Sequence, residues 1–409
     1  MCPQTGISLK IYYEAYGCTL SKAESGLYVN SMLADGSSLV NSPNDADISI
    51  INTCVVIKGT EDRMIQRISE LTQSSKVKVL GCLSTVNGGS LADPNIEVLS
   101  SKEFRSFYSG KLDDIEIREP SIMEGIPINQ GCTGSCNFCI SRVARGKLIS
   151  RPVEKITGQV KMQLARGMKE VRITSLDTAA YGKDINVRLP DLVRSITALD
   201  DDFRLRIGMM EPKNTSEILT ELLDSMRSYK VFKFLHIPVQ SGDDRILDAM
   251  NREYSVRDFL KTVSEFRNIF PNSVLSTDLI TGYHGEDQQS FENSLLLLEK
   301  TKPEICNITR FSQRPFTPDY EKSPPPSNIV KKWTKEMSDF HRTIIRSKLE
   351  SQINSVKNLL ITERGKNDTW VGRDDAYRPV VVTGDLHLFE KVSCEIVSNG
   401  PTYLIGKLI

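Results

Sequence analysis

Histidine is scarce in this chain, with four in 409 residues, and tryptophan is scarcer, with two. A metal site here must therefore draw on sulfur or carboxylate rather than on imidazole. Net charge is missing as well: 52 Lys and Arg balance 52 Asp and Glu, which excludes a polycation that holds nucleic acid by charge alone. The regions stay close to balance, with 11 basic against 14 acidic residues over 1–118, 28 against 28 over 119–326, and 13 against 10 over 327–409. No uncharged apolar run approaches the ~20 residues that span a bilayer. The start, MCPQTGISLKIYYEAYG, has neither an apolar leader segment nor a small-residue cleavage site. These absences predict a cytoplasmic protein with no membrane partner. There is no internal repeat and no low-complexity tract, and the length suits about two to three domains.

Cysteine, by contrast, is plentiful. Nine cysteines are many for a reducing compartment, and an odd count argues against a framework made only of disulfides, which leaves metal or redox chemistry. One set is tightly spaced: Cys132, Cys136 and Cys139 form a Cx3Cx2C pattern just after a predicted strand. Three thiolates within eight residues can wrap one face of an iron-sulfur cube and leave its fourth iron without a protein ligand, open to substrate. A closed structural zinc site needs a fourth ligand, and no other Cys or His lies at that spacing.

The first ~118 residues alternate strand-like runs with helical ones, predicting a small parallel sheet with crossover helices. Cys18, Cys54 and Cys82 each follow one of those strand-like runs. Loops beyond the carboxyl ends of parallel strands converge, so these three thiols, distant in sequence, are expected to meet. Singly, each could be a small buried hydrophobe. A second strand-helix series begins near Gly125, with six strands and amphipathic helices such as PVEKITGQVKMQLARG and TSEILTELLDSMRS. It predicts a partial (β/α) barrel with polar residues at the strand ends. The proline-rich RPFTPDYEKSPPPSN ends it, a charged helix follows at about 329–350, and short β runs predict a small terminal β-barrel.

The cysteine loop GCTGSCNFCISRVARG resembles the radical S-adenosylmethionine (SAM) family, with Phe138 in the aromatic slot before the last cysteine. The segments YGCTLSKAES, IINTCVV and VLGCLS resemble the N-terminal domain of the methylthiotransferases within it. TSLDTAAYG, FLHIPVQSGDDRILDAMNREY and a final TRAM-like β-barrel are similar to the archaeal and eukaryotic branch acting on N6-threonylcarbamoyladenosine in tRNA. The resemblance covers almost the whole chain. It implies an N-terminal cluster domain (1–118), a radical SAM core (119–328), a connecting helix (329–350) and a TRAM-like RNA-binding domain (351–409). It also implies a first [4Fe–4S] cluster on Cys18, Cys54 and Cys82, and a second, SAM-chelating one on Cys132, Cys136 and Cys139. The partners implied are tRNA, a flavodoxin- or ferredoxin-like electron donor and a sulfur donor. Two positions depart from the family pattern: Ser21 stands where Asn is common, and Phe316 replaces a usual Gly.

Phe138, Ser175, Asp177, Glu211, Gln240 and Ser241 stand at the cluster loop and barrel-strand ends, where bound SAM needs partners; the polar ones could equally cap helices or turns. Arg142, Arg145, Lys147 and Arg151 form an acid-free stretch suited to RNA phosphates or to a solvated face. In the terminal barrel Trp370, Arg373 and Arg378 suit stacking and pairing with RNA, although aromatics there equally suit the barrel core. Two other functions share parts of this pattern: a methylthiotransferase for a ribosomal-protein side chain, and a non-catalytic RNA-binding protein with structural clusters.

Overall fold

The computed structural model describes residues 8–99, 103, 106–107 and 115–409, so Cys2 lies outside the described residues. Its N-terminal sheet is made of β1 (Lys10–Ala15), β2 (Ser38–Leu39), β3 (Ile48–Thr53), β4 (Lys76–Gly81) and β5 (Ile96–Val98). All pairings are parallel, in the order β2-β1-β3-β4-β5. Helices Thr19–Ala34 and Lys58–Leu71 make the crossovers, because parallel neighbours cannot be joined by a tight turn. Ile11, Ile50, Ile51 and Val79 are fully buried beneath them. Parallel pairing sends every strand's carboxyl end to the same edge.

Next come β6 (Ile126–Pro127), the short antiparallel pair β7 (Asn129–Gln130) and β8 (Ile149–Ser150), then β9 (Glu170–Thr174), β10 (Arg204–Ile207), β11 (Phe234–His236), β12 (Val274–Thr281) and β13 (Ile305–Arg310). Two parallel arcs, β10-β9-β6 and β11-β12-β13, are joined where Leu205 exchanges backbone hydrogen bonds with Lys230 and Phe232. Together they make a partial six-stranded (β/α) barrel covered by helices. The segment TSEILTELLDSMRS, predicted as one helix, belongs to two, Pro212–Glu217 and Leu219–Ser225. Pro212 and the capping Glu211 start the first helix early, and Ile218 leaves helical angles (φ −121°, ψ 9°) with its side chain buried. Phe316 is exposed and holds φ +66°, so the turn keeps the left-handed conformation that favours glycine.

Helix Ser327–Glu350 crosses to a closed barrel of β14 (Val356–Arg364), β15 (Thr369–Arg373), β16 (Pro379–Thr383), β17 (Lys391–Asn399) and β18 (Leu404–Leu408). Leu359, Ile361, Val380, Cys394 and Ile396 fill it, an aliphatic core with Trp370 half-buried at its edge. Tyr377 turns the other way: it packs with Phe232, Phe234 and Val274 of the larger barrel and donates its hydroxyl to Glu170 at 2.8 Å. Among the described residues no helix is long and apolar enough to cross a membrane.

Candidate functional site

Three loops meet at the carboxyl edge of the N-terminal sheet. β1 leads through Gly17 to Cys18, β3 ends one residue before Cys54, and Cys82 follows β4 and opens the helix Cys82–Val86. The approach is tight enough to need glycine. Gly81 holds φ +93°, and a methyl there would overlap the Thr53 carbonyl oxygen. Burial and the Cys82 sulfur push the Cys54 thiol up. One buried cation answers these thiols: the field of Arg145 reaches Cys82 and Cys18. Arg145 is held in turn by Glu24 and by Ser21 Oγ, which accepts at 3.0 Å. Ser21 donates to Asn52 Oδ1 at 2.9 Å, so the small residue at this position is part of the clamp.

The second triad is built on β7 and β8. The Cys132 amide donates to the Gly146 carbonyl at 3.1 Å, and the loop closes where the Cys139 amide meets the Cys136 carbonyl at 3.3 Å. The turn after helix Asp244–Ala249 cradles this loop. Asn137 donates to the Met250 and Ala249 carbonyls, Asn251 reaches Ser135, and Arg252 Nη1 lies 2.8 Å from Cys136 Sγ. Burial pushes the Cys132 thiol up to about 12, with Asp177 and the other two sulfurs adding to it. Cys139 is raised by burial and by Cys136. Thiols crowded in this way ionise when a metal neutralises them, so three of them on one cavity are a fitting donor set for a cluster with one open iron.

That cavity, of about 270 Å³, is lined by all three cysteines and by Phe138, Asp177, Glu211 and Gln240. Burial and the nearby Glu211 push Asp177 up to about 6, while the Glu211 amide (2.9 Å), Asn214 Nδ2 (2.6 Å) and the Ala179 amide (3.0 Å) hold it. Gln240 sits at φ +72°, a strained conformation for a side chain that faces the cavity. Phe138 meets Tyr283 edge-on at 6.3 Å.

A six-residue helix, Ile140–Arg145, ties the two triads together. Cys139 precedes it and Arg145 ends it, while Ile140 and Ala144 pack with Cys82, Leu83 and Val86.

Several of the residues expected to contact SAM or RNA have partners within the chain. Ser175 and Ser241 are buried with their hydroxyls accepting the Asp177 and Asp243 amides, so they brace turns behind the cavity wall. Arg145 and Arg151 are not available to phosphate: Arg145 lies at the first triad, and Arg151 donates to the Pro127 carbonyl and Gln159. Arg142 and Lys147 remain exposed. Arg373 pairs with Glu363 over the Tyr377 ring, and Arg378 pairs with Asp374 and donates to the Asn272 carbonyl, so both serve the junction between barrels. Asn251 and Arg252 were given no individual role in the sequence, although they lie in the segment FLHIPVQSGDDRILDAMNREY that carries the family resemblance.

Residues 126–298 match the Radical SAM superfamily, residues 10–100 an uncharacterized protein family, UPF0004, and residues 350–409 the TRAM domain. The radical SAM methyltransferase TsrM from Kitasatospora setae, solved with cobalamin and a [4Fe-4S] cluster bound, shares the fold at TM-score 0.51, with 12% identity over 77% of each chain. The cobalamin-dependent SAM radical enzyme OxsB does so at TM-score 0.50, with 12% identity over 83% of this chain and 56% of its own. Fold and site thus define a radical SAM protein, and that fold implies SAM and a [4Fe-4S] cluster.

Full-length relatives narrow the class. Proteins named probable threonylcarbamoyladenosine tRNA methylthiotransferase from Archaeoglobus fulgidus and Methanocaldococcus jannaschii are 34% and 35% identical, over 98% and 99% of this chain and 99% and 98% of theirs. The human threonylcarbamoyladenosine tRNA methylthiotransferase is 28% identical over 97% of this chain and 74% of its own. The chain belongs to the threonylcarbamoyladenosine tRNA methylthiotransferase family.

Proposed function

We propose that this protein converts N6-threonylcarbamoyladenosine, the modified purine just 3′ of the tRNA anticodon, to its 2-methylthio derivative. Full-length similarity to proteins of that name supports the reading, and one structural observation carries it: two separate thiol triads joined by a single short helix. Cys132, Cys136 and Cys139 would hold the cluster that binds SAM, and Cys18, Cys54 and Cys82 a second cluster. A reduced cluster with SAM bound there would supply the one-electron chemistry needed to replace the inert hydrogen at adenine C2.

The chain's own residues position and enclose. Arg252 fixes the Cys136 thiol, Asn214 ties Thr133 to Asp177, and Phe138 against Tyr283 keeps water from one side of the cavity. Glu211 and Gln240 offer acceptors and donors to SAM, and Arg142 and Lys147 offer charge to RNA phosphates at the rim. An electron-donor protein of the flavodoxin or ferredoxin type and an external sulfur source complete the balance. We place the domain limits at 1–118, 119–328, 329–350 and 351–409, in the cytoplasm.

The test is anaerobic reconstitution followed by mass spectrometry of nucleosides from tRNA incubated with SAM, sulfide and a reductant. The 2-methylthio nucleoside is expected, and it should vanish when either triad is changed to Ala. A product on a ribosomal protein instead, or no nucleoside product from protein that carries about eight irons and cleaves SAM, overturns the proposal.

A further inference from the structure

Arg206, on the inner face of the partial barrel, lacks the acid partner that its neighbouring arginines have. Leu205 and Ile207 pack outward into the helix-covered core, so Arg204 and Arg206 lie on the opposite, inner face of β10. Around them, arginines have acids: Arg172 pairs with Glu170 at 2.7 Å, Arg204 with Asp375 at 2.6 Å, Arg373 with Glu363 at 2.7 Å and Arg378 with Asp374 at 3.0 Å. Arg206 has no ion pair among the described residues, and its Nε is buried without a hydrogen-bond partner. Its guanidinium lies 4.8 Å over the Phe234 ring and 5.0 Å over that of Tyr377. Burial, with Arg172 and Arg373 nearby, holds its pKa below the usual arginine range. Ring faces offset only part of the cost of a half-buried charge without an acid partner. A cation retained at such a cost calls for an anion.

Room for one is present. Arg206 lines a cavity of about 890 Å³ with Phe234, Asn307, Thr309, Arg373 and Tyr377. A column of inner-face groups leads from it toward the cysteine loop. Phe234 neighbours His236 at 6.5 Å, His236 Nε2 lies 3.4 Å from Asp278 Oδ1, and the Gln240 amide, on the cluster cavity, donates to the Asp278 carbonyl at 2.8 Å.

We propose that Arg206 is the anion-binding residue of a second subsite in the barrel, and that it takes the carboxylate of the substrate's threonylcarbamoyl arm. The inference rests on the function proposed above. N6 and C2 lie on opposite flanks of the purine's N1, so a base that presents C2 to the cysteine loop sends its arm down the inner face. A guanidinium meets a carboxylate with two parallel N–H donors, a geometry that an uncharged arm cannot use. Arg206 thereby selects the acidic modification over an adenosine without it.

The test is equilibrium binding of anaerobic holoenzyme to one tRNA prepared with and without the threonylcarbamoyl group. Wild type should prefer the modified tRNA. Arg206→Met should weaken that complex about 10- to 100-fold, the scale of a lost charge-assisted contact, and leave the affinity for unmodified tRNA in place. Arg206→Lys should restore part of the preference. Should Arg206→Met fold poorly, tRNA bearing the methyl ester of the arm makes the same test on wild type, which should then lose its preference. A full preference in well-folded Arg206→Met, or an unchanged one for the ester, overturns the subsite. Wild type that methylthiolates the modified tRNA yet binds both forms equally overturns the subsite alone, whereas wild type that forms no product overturns the function beneath it.

Discussion

Glu286 closes the loop after β12 by accepting the Gly282 amide, and it is buried there. Burial pushes its carboxyl up to about 7, and Asp287 and Asp243 add to the rise against the local backbone amides. The folded chain thus keeps, between about pH 4.5 and 7, a proton that the unfolded chain has released. The group's contribution is complete below that window and is lost as the pH rises through it. Glu286→Gln keeps an acceptor oxygen and removes the titration. Its stability relative to wild type should rise by about 1.4 kcal/mol per pH unit across the window, read from denaturant unfolding at pH 5 and 8. Parallel behaviour of the two proteins would argue that the carboxyl is not raised. At this scale the sequence was legible where backbone and chemistry coincide, as in thiols placed after strands. It was not legible for the arginines. The acid-free stretch from Arg142 to Arg151 reads as one surface, yet Arg145 and Arg151 are buried, because their acceptors, Glu24 and the Pro127 carbonyl, come from segments far from them or on another strand.

Among the elements, helix Ile140–Arg145 is too short to show a period, which is why it escaped prediction while longer helices and strands did not. Its weight in the structure comes from its two ends. Arg145→Met would strip Glu24, 1% exposed, of its cation and should cost about 3–5 kcal/mol, measured by urea unfolding of the cluster-free protein. Replacing both residues, Glu24→Leu with Arg145→Met, should recover much of that loss, since neither charge is then left alone. A double variant no more stable than the single one would place the helix's contribution in its apolar contacts with Leu83 and Val86 instead.

For the whole molecule, the three-part architecture was readable because a second strand-helix series starts afresh near Gly125 and the stretch after the proline-rich segment and charged helix changes to short β runs; the contacts between the parts were not, since they join surfaces far apart in sequence. The terminal barrel divides its charges by face. Arg373 and Arg378 turn inward to the junction, while Arg364, beside the Trp370 ring at 5.9 Å, and Lys366 are exposed. Charge reversal at Arg364 and Lys366 should weaken tRNA binding and lower the slope of log affinity against log salt by roughly two, without loss of thermal stability. An unchanged slope in filter-binding titrations would remove this face from the RNA contact.

Tyr377 gives the terminal barrel a further significance. Its ring stands among Phe232, Phe234 and Val274 at the foot of the larger barrel, so the domain added at the end of the chain supplies the stopper of a vessel built from earlier residues. An exchange of this domain for another RNA-binding module, by recombination or by design, would have to import a ring at the same spot. Without one, the chain would keep its cysteines and an RNA grip but leave the foot of the larger, partial barrel uncovered.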